Sequence, residues 1–464
     1  METSRAQWSG RLGFVLAAAG SAIGLGNLWK FPYITLENQG GAFVLVYLAA
    51  IAVVGAPIMG AEILLGRKSR RNPVGAFGLL GSGRRGGRAW KGVGYLGVMT
   101  GFVILSYYSM IAGWTIRYIV MAFSGTLGEL AHSPESLQTY FGGLLADPTA
   151  QIFFHTLFMG LTVGVVFFGV GKGIERAAKL LMPLLFVILV VLAVYSATTP
   201  GFGRALAFLF RPNFSDLTPG SVLEALGHSF FTLSLGLGAM LTYGSYMRKR
   251  DSIPRAALTI CALDTLIAIM ACLIMFSIVF SFDFEVTKSS TILFTTIPVI
   301  FYKLPGGTAI CGLFYLLVSF AALSSTISLL EVVASYAIDE LGWNRRTSAL
   351  TTGAAIWVFG IFSALSVGGV ETLSSFNPIG GPSRAGVFGT RDYLASNWFL
   401  PVGGLLIALF AGWMLTGREC REELEEGHGP LGRSFGIWRF LIRFAAPAAV
   451  GAIIVSVILG AEYQ

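Results

Sequence analysis

Residues 20–32 read GSAIGLGNLWKFP, in the middle of a long apolar run. Gly20, Gly24 and Gly26 should each weaken a helix by about 1 kcal/mol relative to Ala. Asn27 and Lys30 add polar groups where the flanking residues suit hydrocarbon. The stretch therefore reads as an interruption of the first span, and what the interruption is for decides the fold.

Composition sets the context. Of the 464 residues 55% are hydrophobic and 12% charged, and the mean hydropathy is +0.73. A soluble domain has roughly a quarter of its residues charged, so the chain reads as an integral membrane protein. The net charge of +8 could suggest nucleic acid. The basic residues instead cluster in short loops between apolar runs, where orientation signals lie. Cys261, Cys272 and Cys311 fall in apolar segments and Cys420 in a charged loop, with no CxxC or Cys/His spacing, so they read as structural thiols. The first apolar run is long and lacks an A-x-A-like site, so no cleavable leader is expected.

Apolar windows of about 20 residues predict eleven spans, near 11–36, 41–66, 92–124, 150–169, 176–197, 222–246, 255–281, 307–338, 346–368, 391–416 and 437–461. The 67–91 loop carries Arg67, Lys68, Arg70, Arg71, Arg84, Arg85, Arg88 and Lys91 without an acid, whereas 126–151 carries Glu129, Glu135 and Asp147 without Lys or Arg. The positive-inside rule puts the first loop in the cytoplasm and the second outside. GKGIERAAK (171–179), MRKRDSIPR (247–255) and ELGWNRRTS (340–348) then also fall inside, the N-terminus is cytoplasmic and the C-terminus external. The longest connections, 126–149, 198–221, 282–306 and 369–390, are too short for a soluble domain, and their Pro, Gly and aromatic residues suggest folded lids.

A second weak stretch, FFTLSLGLG (230–238), interrupts the sixth span with Thr232, Ser234, Gly236 and Gly238. Five spans separate the two breaks, the sequence pointer to an inverted-repeat transporter with its site at the bilayer midplane. Unwound backbone offers carbonyl oxygens to cations and free N–H groups to a carboxylate. Alone, Gly20-x-x-x-Gly24 would read as a helix-packing seam. Asn27 beside it and the matching break turn the reading toward a binding site.

The segment AALSSTISLLE (321–331) puts Ala321, Ser324, Ser325 and Ser328 on one helix face. Such hydroxyls serve as interhelical glue or bond their own backbone, but oxygen donors without thiolate or imidazole also suit a hard cation such as sodium. Asp264, Glu62 and Glu331 are carboxylates deep in apolar runs. Asp264 reads as functional, with a protonated structural hydrogen bond as the alternative, whereas Glu62 and Glu331 read as structural. His228 reads as a structural residue or a proton relay.

Six segments carry a resemblance: RLGFVLAAAGSAIGLGNLWKFPY (11–33), GGAFVLVYL (40–48), SYYSMIAGW (106–114), GKGIERAAKLLMP (171–183), SFFTLSLGLGAMLTYGSYMRK (229–249) and 321–331. From residue 5 to about 416 the chain resembles the neurotransmitter:sodium symporter family, in particular its bacterial amino-acid transporters of LeuT type. The resemblance implies an all-α membrane protein of LeuT fold: a 5+5 inverted repeat with helices 1 and 6 broken at mid-membrane, plus one extra helix. Residues 11–197 would form the first repeat, 222–416 the second and 437–461 the extra helix, all within one transporter domain.

Carried over by position, the resemblance implies two sodium sites. The first uses the Ala22 carbonyl, Asn27, Thr232 and Asp264 with the substrate carboxylate; the second uses the carbonyls of Gly20, Ile23 and Ala321 with the hydroxyls of Ser324 and Ser325. The substrate backbone would meet Ser21, Ala22, Leu25, Gly26, Tyr108, Phe231, Thr232 and Ser234, and its side chain Ile104, Leu237, Ser325, Ser328 and Leu329. Relatives that carry monoamines place Asp where this chain has Gly24, so an amino acid bringing its own carboxylate is implied. Leu237 stands where relatives often have Phe. The apolar subpocket implies a neutral hydrophobic or aromatic L-amino acid.

Chloride-dependent relatives use a Tyr, a Gln and two hydroxyls. Here Tyr47 and Thr232 remain, His228 replaces the Gln and Ala268 a Ser, and Asp264, where relatives have Asn, supplies a fixed charge. Chloride-independent uptake is implied. The external gate would be Lys30 facing Asp392; the internal gate would be Arg5 with Asp339, supported by Trp8, Tyr246 and Glu331. The expectation is a sodium-coupled importer in a bacterial inner membrane, working by alternating access. No nucleophile and base are paired as in an enzyme, and the alternatives are proton coupling through Asp264 and His228 or an amino-acid sensor of the same fold.

Overall fold

The computed structural model describes residues 5–282, 292–381 and 384–462. Among these, nine helices are long and apolar enough to cross a membrane, and a pair bent by 52° makes a tenth. The bent pair is α1 (Arg11–Ala22) and α2 (Gly26–Glu37), followed by α3 (Gly41–Ser69) and α4 (Gly87–Ser124). A short helix α5 (Pro134–Ala146) leads into α6 (Pro148–Phe167) and α7 (Val170–Ser196). A second broken pair, α8 (Pro219–Thr232) and α9 (Ala239–Ser245), occupies the stretch read as the sixth span. Then come α10 (Ile253–Val279), α11 (Gly307–Leu341), α12 (Arg345–Leu365), α13 (Gly386–Met414), the polar α14 (Gly417–Glu425) and α15 (Arg433–Ile458). With both broken pairs taken as spans, the predicted boundaries hold to within a few residues.

The connections are partly helical. The 126–149 connection folds as Thr126–Leu130 and α5, and 198–221 contains Phe202–Phe210. In 282–306, residues 283–291 lie outside the described residues, as do 382–383 in 369–390.

Each break follows from its residues. At Ile23 the backbone turns extended (φ −74°, ψ 109°), which ends α1, and the Asn27 side-chain oxygen accepts from Gly24 N at 3.0 Å, which satisfies an N–H in the turn ahead of α2. In 233–238, Ser234, Gly236 and Gly238 take φ of +52°, +85° and +79°, the left-handed region that glycine tolerates best. A Cβ on Gly238 would sit 2.7 Å from Pro73 Cγ, so the turn also needs glycine for space. Glu62, fully buried on α3, holds it open by accepting from Gly236 N at 2.8 Å.

The two breaks face each other. Ser234 Oγ donates to Ser21 O at 2.8 Å. The longest helices, α4 and α11, pack extensively and carry the hydroxyl face of α11 onto the first break. Loops on the face bearing the N-terminus are tied by Arg67, whose buried guanidinium reaches Glu423 on α14 at 2.6 Å and Asp251 O at 2.7 Å.

Candidate functional site

Asp264 lies at the centre, fully buried on α10. Its carboxylate accepts from Asn27 Nδ2 at 2.8 Å, Thr232 Oγ1 at 3.0 Å and Tyr47 OH at 3.3 Å. One carboxylate thus joins α2, α8, α3 and α10 through three converging donors. Of the groups placed in the first sodium site, the structure brings Asn27, Thr232 and Asp264 into direct contact.

The second set also converges. Ser325 Oγ lies 3.3 Å from both Ser21 O and Ile23 O, Ser324 Oγ 2.9 Å from Ala321 O, and a Cβ on Gly20 would lie 3.0 Å from Ser324 Cβ. A hydroxyl that now donates to these carbonyls can turn a lone pair, with the carbonyl, toward a shared cation. Both clusters offer oxygen ligands, the chemistry of a hard cation. Among the described residues no group of three or more His, Cys, Asp or Glu side chains could hold a metal.

Between the breaks lies a cavity lined by Ser21, Ala22, Gly24, Gly26, Ile104, Tyr108, Phe231, Thr232, Ser234, Leu237, Ser325, Leu329 and Leu400. Two residues expected at the substrate stand behind this wall. Ser328 Oγ meets Ser21 Oγ at 2.7 Å, and Leu25 N donates to Tyr108 OH at 3.0 Å. Leu400, on α13, was not singled out in the sequence, because an apolar residue in an apolar span gives no signal. A Cβ on Gly24 would sit 2.7 Å from Ser325 Oγ and 2.9 Å from Tyr108 OH, and one on Gly26 3.2 Å from the Phe231 ring. A side chain at either position would take up space that the cavity now holds.

The face bearing the N-terminus is closed by charge. Arg5 meets Asp339 at 2.5 Å, donates from Nε to Ser245 Oγ at 3.0 Å and covers the Tyr246 ring at 4.8 Å. Tyr246 OH donates to Glu331 Oε1 at 2.7 Å, and Arg345 takes the same carboxylate with two nitrogens, at 2.8 and 2.5 Å. Trp8, 1% exposed, donates to Tyr243 O at 2.9 Å. Sequence reasoning missed Arg345, Ser245 and Asn72, whose backbone N donates to Asp339 at 2.8 Å.

The opposite face is built differently. Lys30 sets its ammonium 4.7 Å above the Phe231 ring. It feels Asp392 only at longer range, and the two form no ion pair among the described residues. His228 stacks on Phe31 (centroids 5.5 Å apart, 16° between planes) with neither ring nitrogen hydrogen-bonded among the described residues.

Known proteins share this arrangement. The model of the sodium:neurotransmitter symporter family matches residues 5–133 and 148–459. The uncharacterized sodium-dependent transporter YhdH of Bacillus subtilis is 37% identical over 97% of this chain and 97% of its own length. An uncharacterized sodium-dependent transporter of Haemophilus influenzae is 32% identical over 97% and 98%. Among solved structures, MhsT in complex with L-phenylalanine superposes with a TM-score of 0.87 at 42% identity, covering 98% of this chain and 100% of that one.

Proposed function

Because the chain belongs to the sodium:neurotransmitter symporter family, we propose that it is a sodium-coupled symporter importing a neutral hydrophobic or aromatic L-amino acid by alternating access, without chloride. One observation carries this reading: two helix breaks enclose a single cavity whose glycine floor leaves no room for an acidic side chain at Gly24. The substrate must then bring the carboxylate. In its lining, Ile104, Leu237, Leu329 and Leu400 supply an apolar end for the side chain, and the binding of L-phenylalanine by MhsT supports the same class.

Sodium travels as cargo with the substrate. One ion would sit among the Ala22 carbonyl, Asn27, Thr232, Asp264 and the substrate carboxylate. The other would sit among the carbonyls of Gly20, Ile23 and Ala321 and the hydroxyls of Ser324 and Ser325. Substrate and the first ion then share a ligand, so each raises the other's affinity by the same factor. Chloride independence is supported by Tyr47 and Thr232, which already donate to a built-in anion, Asp264. The two five-helix repeats, 11–197 and 222–416, would rock the first break between a cytoplasmic N-terminal face and an outer face, with 437–461 as an added helix and the C-terminus outside.

The test is uptake of a panel of labelled amino acids into proteoliposomes, with sodium replaced by choline and chloride by gluconate independently at fixed pH. Uptake of leucine, phenylalanine or tryptophan should need sodium and ignore chloride. Uptake that survives in choline and follows pH would replace sodium coupling with proton coupling; substrate binding without any uptake would make the protein a sensor.

A further inference from the structure

Away from the central cavity, α4 and α6 form a second space. The two helices touch where a Cβ on Gly113 would lie 2.5 Å from Phe154 O. Residues of α5 join α4 and α6 around an open recess lined among others by Arg117, Tyr140, Asp147 and Phe153. Phe153 is five residues into α6, about 7 Å along its axis.

Two opposite charges face this space without pairing to each other among the described residues. Arg117 donates from Nε to Tyr140 OH at 2.7 Å, and its Nη groups make no hydrogen bond or ion pair among the described residues. The hydroxyl of Tyr140, oriented by that bond, keeps its own proton to donate. Asp147 caps α6 with one oxygen, accepting from Thr149 N at 2.9 Å and Ala150 N at 3.2 Å, and its second oxygen makes no hydrogen bond or ion pair among the described residues. Phe153, Leu157 and Leu161 continue as an exposed apolar stripe down α6. A cation, an anion and an apolar track together match an amphiphile that carries both charges at its head.

We propose that this wedge binds a phospholipid with an amine-bearing headgroup such as phosphatidylethanolamine, its phosphate on Arg117 and Tyr140, its ammonium on Asp147 and an acyl chain along Phe153 and Leu157. Helix α5 and Asp147 fall in 134–147, the stretch that the family model leaves unmatched. The part of the pocket made by Tyr140 and Asp147 therefore lies outside the family pattern, whereas Arg117 and Phe153 lie within the matched segments. A soluble anion would use the arginine but gain nothing from the apolar track, and an acidic lipid would meet Asp147 with the wrong sign.

The test places the full-length protein in nanodiscs of equal parts phosphatidylethanolamine and phosphatidylglycerol and identifies retained lipid by native mass spectrometry. Wild type should retain phosphatidylethanolamine in preference. Asp147→Asn keeps the helix cap and should retain lipid with the preference lost. Arg117→Ala should lower retention about tenfold, and Arg117→Lys should recover part of it. The proposal is overturned if wild type and Asp147→Asn retain the same lipid ratio, if Arg117→Ala retains lipid like wild type, or if inorganic phosphate displaces the lipid completely.

Discussion

The two faces of the substrate cavity are closed by different chemistry. On the face bearing the N-terminus, Arg5, Asp339, Tyr246, Glu331 and Arg345 form a chain of direct charged contacts. On the other, a single aromatic ring, Phe231, lies between the cavity and Lys30, and the nearest opposite charge is out of contact. Buried charge pairs have few acceptable geometries, because losing one partner strands the other in low dielectric. A ring under an ammonium shifts at little cost. The charged face should therefore be the one that opens all at once, and the aromatic face the one that adjusts to what is bound.

Breaking the charged face should have the largest effect. Arg345→Ala leaves the fully buried Glu331 with only Tyr246, and should cost about 3–5 kcal/mol, read as a lowered unfolding temperature in detergent. If thermal stability is unchanged, the ion pair does not hold this face. Arg5→Ala is milder, because Asp339 keeps the Asn72 backbone N–H. A loss of about 1.5–3 kcal/mol in the closed state should speed labelling of a cysteine placed at Ser245 by tenfold or more. Labelling at the wild-type rate would mean that the face is sealed elsewhere.

On the aromatic side, Phe231→Ala removes the ring under Lys30 and the contact with Gly26. It should weaken substrate retention by about 1–2 kcal/mol, seen as faster dissociation of labelled amino acid, with thermal stability nearly kept. A drop in unfolding temperature as large as that of Arg345→Ala would erase the contrast between the faces. Lys30→Arg supplies a fork able to reach Asp392 in two places. Dissociation should slow by no more than about fivefold, the worth of a partly exposed pair.

How much of this was legible in the sequence divides along the same line. Span positions, both breaks and the residues around them could be read, because glycine and polar groups in an apolar run carry a cost that needs a reason. The Gly24 argument gained its physical form from the structure, in the 2.7 and 2.9 Å approaches of Ser325 and Tyr108. Arg345 was invisible as a partner of Glu331: it sat among basic loop residues that served as orientation signals, and only the turn between α11 and α12 brings it back. Leu400 gave no signal in an apolar helix. Lys30 is expected to face Asp392 in a looser pairing than an arginine fork would make, and in the structure its ammonium lies over Phe231 with Asp392 acting on it from longer range.

In the proposed site an amino-acid carboxylate and sodium share ligands at the two breaks. Equilibrium binding of labelled L-phenylalanine to the purified protein, measured across a sodium series at constant ionic strength with gluconate in place of chloride, tests it most directly. Saturable binding that rises with sodium, is absent in choline and is unchanged by restoring chloride is predicted. Equal binding in choline and sodium, or binding that appears only when chloride is restored, would contradict it.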